Sequence, residues 1–172
     1  MAAGTPVYRH LTDDGLVADG SNNNANVNGV VTAVPHYAGP ADGKIWRLER
    51  MLVTIEDAGS LAAGTYGAIS ALANGCTLKV MRNSPTGTEV LDLMDNAAAT
   101  VNSDWGTFCY DIAFHTFGAG NNFLLSRWTF AKSGAPLFLN GANSDTLVLL
   151  VQDDLTGLVG HKFFIQGVES TE

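Results

Sequence analysis

Charge is scarce in this 172-residue chain: only 15% of residues are Asp, Glu, Lys or Arg. A solvated monomer carries about 25%, so part of the surface is expected to be covered by other chains. Basic residues are scarcer still, 9 against 17 acids, for a net charge of −8. Nucleic-acid binders displace counterions with clustered lysine and arginine, so nucleic acid is excluded as a partner, and an anionic membrane surface is disfavoured on the same ground. The longest strongly apolar run is Leu147-Val148-Leu149-Leu150-Val151, far short of the ~20 residues of a spanning helix. Met1-Ala2-Ala3-Gly4-Thr5-Pro6 has no basic region leading into an apolar core, so no secretory leader is expected. The two cysteines, Cys76 and Cys109, fall in different strand-like runs. They are expected to stay reduced, as thiols in a reducing cytoplasm do.

Catalytic signatures are also missing. The four histidines, His10, His36, His115 and His161, are far apart and form no H-x-H or H-E-x-x-H pattern. Asp111 and His115 share one strand face, but four strand residues separate them by ~13 Å. No G-x-S-x-G elbow marks a serine, and neither cysteine has a basic neighbour to make it a thiolate. Gly118-Ala119-Gly120-Asn121-Asn122 begins like a dinucleotide loop but lacks the third glycine and opens a strand, so it reads as a hairpin. Asp13-Asp14 and Asp153-Asp154 each offer two carboxylates without the spacing of a calcium loop. Trp46, Trp105, Trp128, Tyr37 and Tyr66 are the candidates for a sugar-stacking platform; Trp128 fits a core better, and Trp105, in Asn102-Ser103-Asp104-Trp105-Gly106, is the one suited to a surface role. No catalytic, cofactor-binding or metal-binding residue is assigned, and no cofactor is expected.

What is present is glycine, 19 residues, and short alternating runs. Residues 1–43 read as an N-terminal arm and link. Asp13 to Gly29 is rich in Asp, Asn, Gly and Ala and has too few apolar residues to order itself. Its short apolar pieces, Val7-Tyr8 and Val30–Val34, are suited to adding a strand to a neighbouring sheet edge, with the first strand of the same sandwich as the alternative for Val30–Val34. Pro35 and Pro40 bracket a turn-rich link. On this reading, removing Met1 to Pro40 leaves a folded body that attaches weakly to its partner.

Residues 44–172 read as the body. Strands are expected at Lys44–Ile55, Thr65–Ser70, Cys76–Arg82, Glu89–Met94, Phe108–Thr116, Phe123–Ala131, Leu137–Leu139, Thr146–Gln152 and His161–Val168. Phe108, Tyr110, Ile112 and Phe114 alternate with Cys109, Asp111, Ala113 and His115, which assigns the first four to the core. Lys44–Ile55 changes parity, with Trp46, Leu48 and Leu52 on one face and Met51, Val53 and Ile55 on the other, so a bulge is expected near Glu49-Arg50. Turn signals such as Asn74-Gly75, Ser84-Pro85-Thr86-Gly87 and Asn140-Gly141 separate the runs. The expected fold is all-β: a two-sheet antiparallel sandwich, a jelly roll with an extended N-terminal arm, with another Greek-key order as competitor.

One succession of segments resembles a known family. Trp105-Gly106-Thr107-Phe108-Cys109-Tyr110-Asp111 leads to Gly118-Ala119-Gly120-Asn121-Asn122-Phe123 and Arg127-Trp128-Thr129-Phe130. Gly134-Ala135-Pro136-Leu137 and Val151-Gln152-Asp153-Asp154-Leu155-Thr156-Gly157-Leu158 follow. In pattern, from about Ile45 to Val168, this resembles the small β-sandwich decoration or cement proteins of tailed bacteriophages. The resemblance implies a jelly-roll-like body, homotrimers on the outer capsid surface, the major capsid protein as partner, and no catalysis. It carries over no site residues. The competing readings are a head–tail connector, tail or fibre component, and a carbohydrate-binding module.

Overall fold

The computed structural model describes residues 4–11, 31–57, 76–94, 109–117, 121–130, 136–151 and 160–172. Ten strands lie among them: β1 (Thr5–His10), β2 (Val34–Ala38), β3 (Lys44–Asp57), β4 (Cys76–Arg82), β5 (Thr88–Met94), β6 (Cys109–Phe117), β7 (Asn121–Thr129), β8 (Leu137–Asn140), β9 (Thr146–Val151) and β10 (Gly160–Thr171). They form two antiparallel sheets. One has the order β1-β10-β3-β7-β6, with β8 also beside β3; the other has the order β2-β9-β4-β5. The all-β two-sheet sandwich read from alternation is the observed architecture.

The pairing is nested. β4 pairs β5, β3 pairs β7 and β8, β2 pairs β9, and β1 pairs β10. The chain therefore folds back on itself like one long hairpin. Successive members of that hairpin fall in opposite sheets, except β4 and β5 at its tip. The extra hairpin β6–β7 extends one sheet, and Phe117 pairs with Asn121. Residues 118–120, between these two strands, lie outside the described residues.

The core lies between the sheets. On one side Leu48, Met51, Phe163, Ile165 and Leu139 are fully buried; on the other Leu78, Leu147 and Leu149 are. Each such side chain contributes about 1.5–3 kcal/mol by leaving water. His36 of β2 sets its ring edge-on against Phe163 of β10, centroids 5.3 Å apart, and so joins the two sheets.

The parity change in β3 has the expected cause. Arg50 stands opposite Gln166 and Leu48 opposite Gly167, which leaves Glu49 as the extra residue of a bulge. Trp46 and Leu48 before the bulge and Met51 after it then all point inward and are buried. The other edge of β3 changes partner at the same point, from β8 over Ile45–Leu48 to β7 over Arg50–Asp57. Across from the bulge, a Cβ on Gly167 would run into the Arg47 carbonyl oxygen and lie 2.8 Å from the Leu48 Cα. Both are backbone atoms and cannot swing aside. Gly167→Val is therefore expected to cost about 1–3 kcal/mol, read as a lower urea midpoint at unchanged slope.

Three expectations need correction. Val7-Tyr8 adds its strand to this chain's own β10, and the region around Val34 pairs with this chain's own β9. Val7 and Leu11 are buried, so both ends of the supposed arm are built into the sandwich. Asp13–Gly29 lies outside the described residues. The Pro35–Pro40 link is mostly strand: β2 runs from Val34 through Pro35 to Ala38. Proline is tolerated there because β2 is an edge strand. Finally, Asn140-Gly141 is not a hairpin turn. Asn140 caps a 3-10 turn, Gly141–Asn143, its side chain accepting from the Ala142 N–H at 2.8 Å, while the chain crosses from one sheet to the other. The positive φ there belongs to Ser144.

The strand alternation in β6 is broken at one point. Cys109 stands opposite Trp128 and Asp111 opposite Arg127, so Tyr110 is an extra, unpaired residue. Through β7 and β3, the register joins Ile112 to Ser126, Val53 and Phe163, and joins Phe114 to Leu124 and Ile55. Beyond the bulge, Cys109 joins the row of Trp128 and Met51; the side chains of β6, and with them its assignment to the core, lie outside what the structure describes. Phe108 and Thr65–Ser70 lie outside the described residues.

Candidate functional site

The histidines do not converge. His10 ends the edge strand β1, its ring 5.0 Å from Phe164. His36 is buried between the sheets. His115 stands in β6 opposite Phe123, and His161 in β10 opposite Ile55. Cys76 opens β4 in the four-stranded sheet and Cys109 opens β6 in the other. Among the described residues no three His, Cys, Asp or Glu side chains are grouped to hold a metal ion. Asp13-Asp14, Asp153-Asp154, Tyr66 and Trp105 lie outside the described residues.

Trp46 is no sugar platform. It is 4% exposed, and its indole N–H donates to the Glu169 carboxylate at 2.8 Å across the β3–β10 pair. Burying an indole normally requires a partner for its N–H, and Glu169 supplies it. Tyr37 is half-buried in the edge strand β2.

The most heavily hydrogen-bonded polar cluster described is at a corner of the sandwich. Asp145 is buried just before β9. Its carboxylate accepts from Arg82 Nε at 2.8 Å, from Arg82 Nη2 at 3.3 Å and from the Asn140 backbone N–H at 3.2 Å. The hydrogen bond to Asp145 raises the Arg82 pKa, against a smaller lowering by desolvation. Asp145 thereby ties the end of β4 to the turn after β8. The Thr146 hydroxyl adds a bond to the Met81 carbonyl at 3.4 Å, and the Asn83 N–H one to the Asn143 carbonyl at 3.3 Å. The partners described for the carboxylate all belong to the fold, and they tie three segments of the chain together at this corner. Asp145→Ala would strand the Asn140 N–H and the fork of Arg82. It is expected to lower stability by about 1–3 kcal/mol, measured by chemical denaturation.

A second electrostatic feature lies on the outer side of the four-stranded sheet. Lys79 of β4 reaches Glu89 at 2.7 Å and Asp92 at 3.4 Å, both on β5. The Glu89 hydrogen bond raises the Lys79 pKa above its ordinary 10.5, opposed by partial burial and aided by Asp92. The raised pKa means the pairing stabilises fully at neutral pH and is lost only as pH rises beyond the ordinary lysine range.

The feature that a search for motifs does not find is a surface. Tyr8, on β1, and Phe138, on β8, are 57% and 59% exposed, and Val90 and Leu91, on β5, are 47% and 43% exposed. No motif announces these side chains, which lie on strands remote in sequence and on two different sheets. No protein-family model, curated protein or solved structure matches the chain.

Proposed function

We propose that this chain is a non-enzymatic structural protein of a bacteriophage virion, a decoration or cement protein that binds the outer capsid surface and reinforces contacts between major capsid subunits. In this reading it is made in the host cytoplasm and acts as a homotrimer. The observation that carries it is the combination of a β-sandwich with few charges and several large apolar side chains left exposed on its surface. A protein destined to be covered by neighbours has that character. The pattern resemblance between Ile45 and Val168 points the same way.

We also infer that the sandwich is a jelly roll. With β6 and β8 set aside, the sheet orders β1-β10-β3-β7 and β2-β9-β4-β5 fit one long hairpin rolled into two four-stranded sheets. The carbohydrate-binding alternative loses support from the burial of Trp46.

Particles purified from infected cells test the reading. Quantitative mass spectrometry is expected to find the chain in hundreds of copies per virion, removable from the outer surface without releasing DNA. Absence from particles overturns the proposal. Six or twelve copies would instead make it a head–tail connector or tail component.

A further inference from the structure

An edge strand leaves a row of N–H and C=O groups open to pairing with another strand. The sheet orders put β1 and β6 at the edges of one sheet and β2 and β5 at the edges of the other. Three of these edges are blunted. β1 carries Pro6 and β2 carries Pro35, and proline cannot donate to an added ladder. β5 slips register twice against β4. It also carries Glu89 and Asp92 and no base, so no pairing of β5 with its own copy sets opposite charges together. β8, beside β3, is only four residues long.

β6 has none of these guards. It is nine residues long and holds no proline, glycine or lysine. Its one irregularity, at Tyr110, comes near its start, and Asp111–Phe117 pair with β7 without a break. Among the described residues no strand lies on its other side.

The sequence of β6 selects the strand that fits there. A strand that meets its own copy antiparallel about a two-fold axis sets one residue against itself and pairs the rest symmetrically. With Ala113 on the axis, Asp111 stands opposite His115 of the second copy and His115 opposite its Asp111. Ile112 and Phe114 are matched in the same way, twice. Acid–base and aromatic–β-branched pairs are among those that stabilise antiparallel strands. The carboxylate accepts, and an imidazole has an N–H to donate whether or not it is protonated. No other two-fold register of β6 brings Asp111 to His115. Within one chain the two are ~13 Å apart along the strand, so only a second copy lets them meet. Arg127 of β7 stands opposite Asp111 on the inner side of the edge, and a carboxylate has two oxygens with which to serve both neighbours.

We propose that β6 pairs antiparallel with β6 of a second copy, Ala113 on the two-fold axis, so that two six-stranded sheets become one continuous sheet. The contact is isologous. It goes beyond the functional reading above: a two-fold contact does not build a trimer, and here it links one trimer to the next.

A cysteine at the axis tests the register. In the full chain carrying Cys109→Ser, Ala113→Cys sets two thiols directly opposite, with Cβ atoms about 4.5–5.5 Å apart, close to disulfide reach. Oxidised glutathione is expected to yield a covalent dimer about tenfold faster or more than from Thr116→Cys in the same background, whose two copies lie ~20 Å apart in this register. Both should keep the wild-type circular dichroism. In sedimentation velocity at micromolar concentration, His115→Asp is expected to weaken association about tenfold or more, because like charges then stand opposite twice. His115→Asn, which keeps a donor, is expected to retain it. If His115→Asp fails to fold, the cross-link decides alone. Cross-linking of Ala113→Cys no faster than of Thr116→Cys, the result if another segment of this chain covers β6, overturns the inference, as does association indifferent to a folded His115→Asp. Capsid binding separates this from the functional proposal. A chain that decorates capsids without the cross-link sinks only the contact, and a cross-linked pair that binds no capsid sinks only the decoration role.

Discussion

Replacing Phe163 by alanine is expected to lower the unfolding free energy by about 3–5 kcal/mol, the range for removing a large aromatic from a core. Phe163 is fully buried in β10, between β1 and β3. Its ring meets His36 of the opposite sheet, and its carbonyl accepts from the Leu11 N–H at 2.9 Å. The substitution leaves a void where the two sheets touch, and β-sheets relax poorly into such voids because each strand is held on both sides. At about 2–4 °C per kcal/mol for a chain of this size, the melting temperature should fall by roughly 6–20 °C. The neighbouring Phe164→Ala supplies the control. Phe164 points outward and is only half-buried, so its loss should cost about 1 kcal/mol, as an average substitution does. If Phe164→Ala costs as much as Phe163→Ala, the inward face of β10 has been assigned the wrong way round.

The contrast between these adjacent phenylalanines shows what kind of information lies in the chain. Cys76–Arg82 is read from sequence with the bounds observed, and Lys44–Ile55, Glu89–Met94 and Leu137–Leu139 come within two residues of theirs. Alternation is a local property, and these strands express it. The bulge at Glu49 is legible for the same reason: burial of Trp46 and Leu48 on one side and of Met51 on the other forces a phase change. The bulge at Tyr110 is not legible, because Cys109 and Tyr110 are both acceptable on either face. Nothing in Phe108 to Phe114 betrays the slip.

The prolines mislead in an instructive way. Pro6 lies within β1 and Pro35 within β2. A proline cannot donate to a ladder, which makes it look like punctuation between strands. Both strands are sheet edges, where one side of the ladder needs no donor. Edge position depends on the whole topology, so the local sequence cannot reveal it. The exposed aromatics are hidden for a related reason. Tyr8 and Phe138 come from distant parts of the chain, and only the β1–β10–β3–β8 register puts them in one sheet.

A chain that begins at Ala41 is expected not to fold, which reverses the expectation drawn from the composition of residues 1–43. That truncation removes β1 and β2, an edge strand from each sheet. Val7, Leu11, His36 and Ala38 go with them, all buried. At about 1.5–3 kcal/mol for a buried valine or leucine, Val7 and Leu11 alone account for a large part of the ~5–15 kcal/mol that stabilises a typical domain. The loss of His36 also strips the opposite sheet's cover from Phe163. The new edges aggravate the damage. β10 and β9 would each present an unpaired ladder to solvent, and β9 carries Leu147, Val148 and Leu149 in succession, a run well suited to pairing with other chains. Insoluble expression is the expected result, with no cooperative thermal transition in any soluble fraction. Full-length Val7→Asp isolates the β1 contribution and should also reduce the soluble yield sharply, because it forces a carboxylate into the inner face opposite Gly167. If the shortened chain is instead soluble and melts cooperatively, β1 and β2 are accessories laid on a self-sufficient body, and residues 1–40 are free to serve attachment alone.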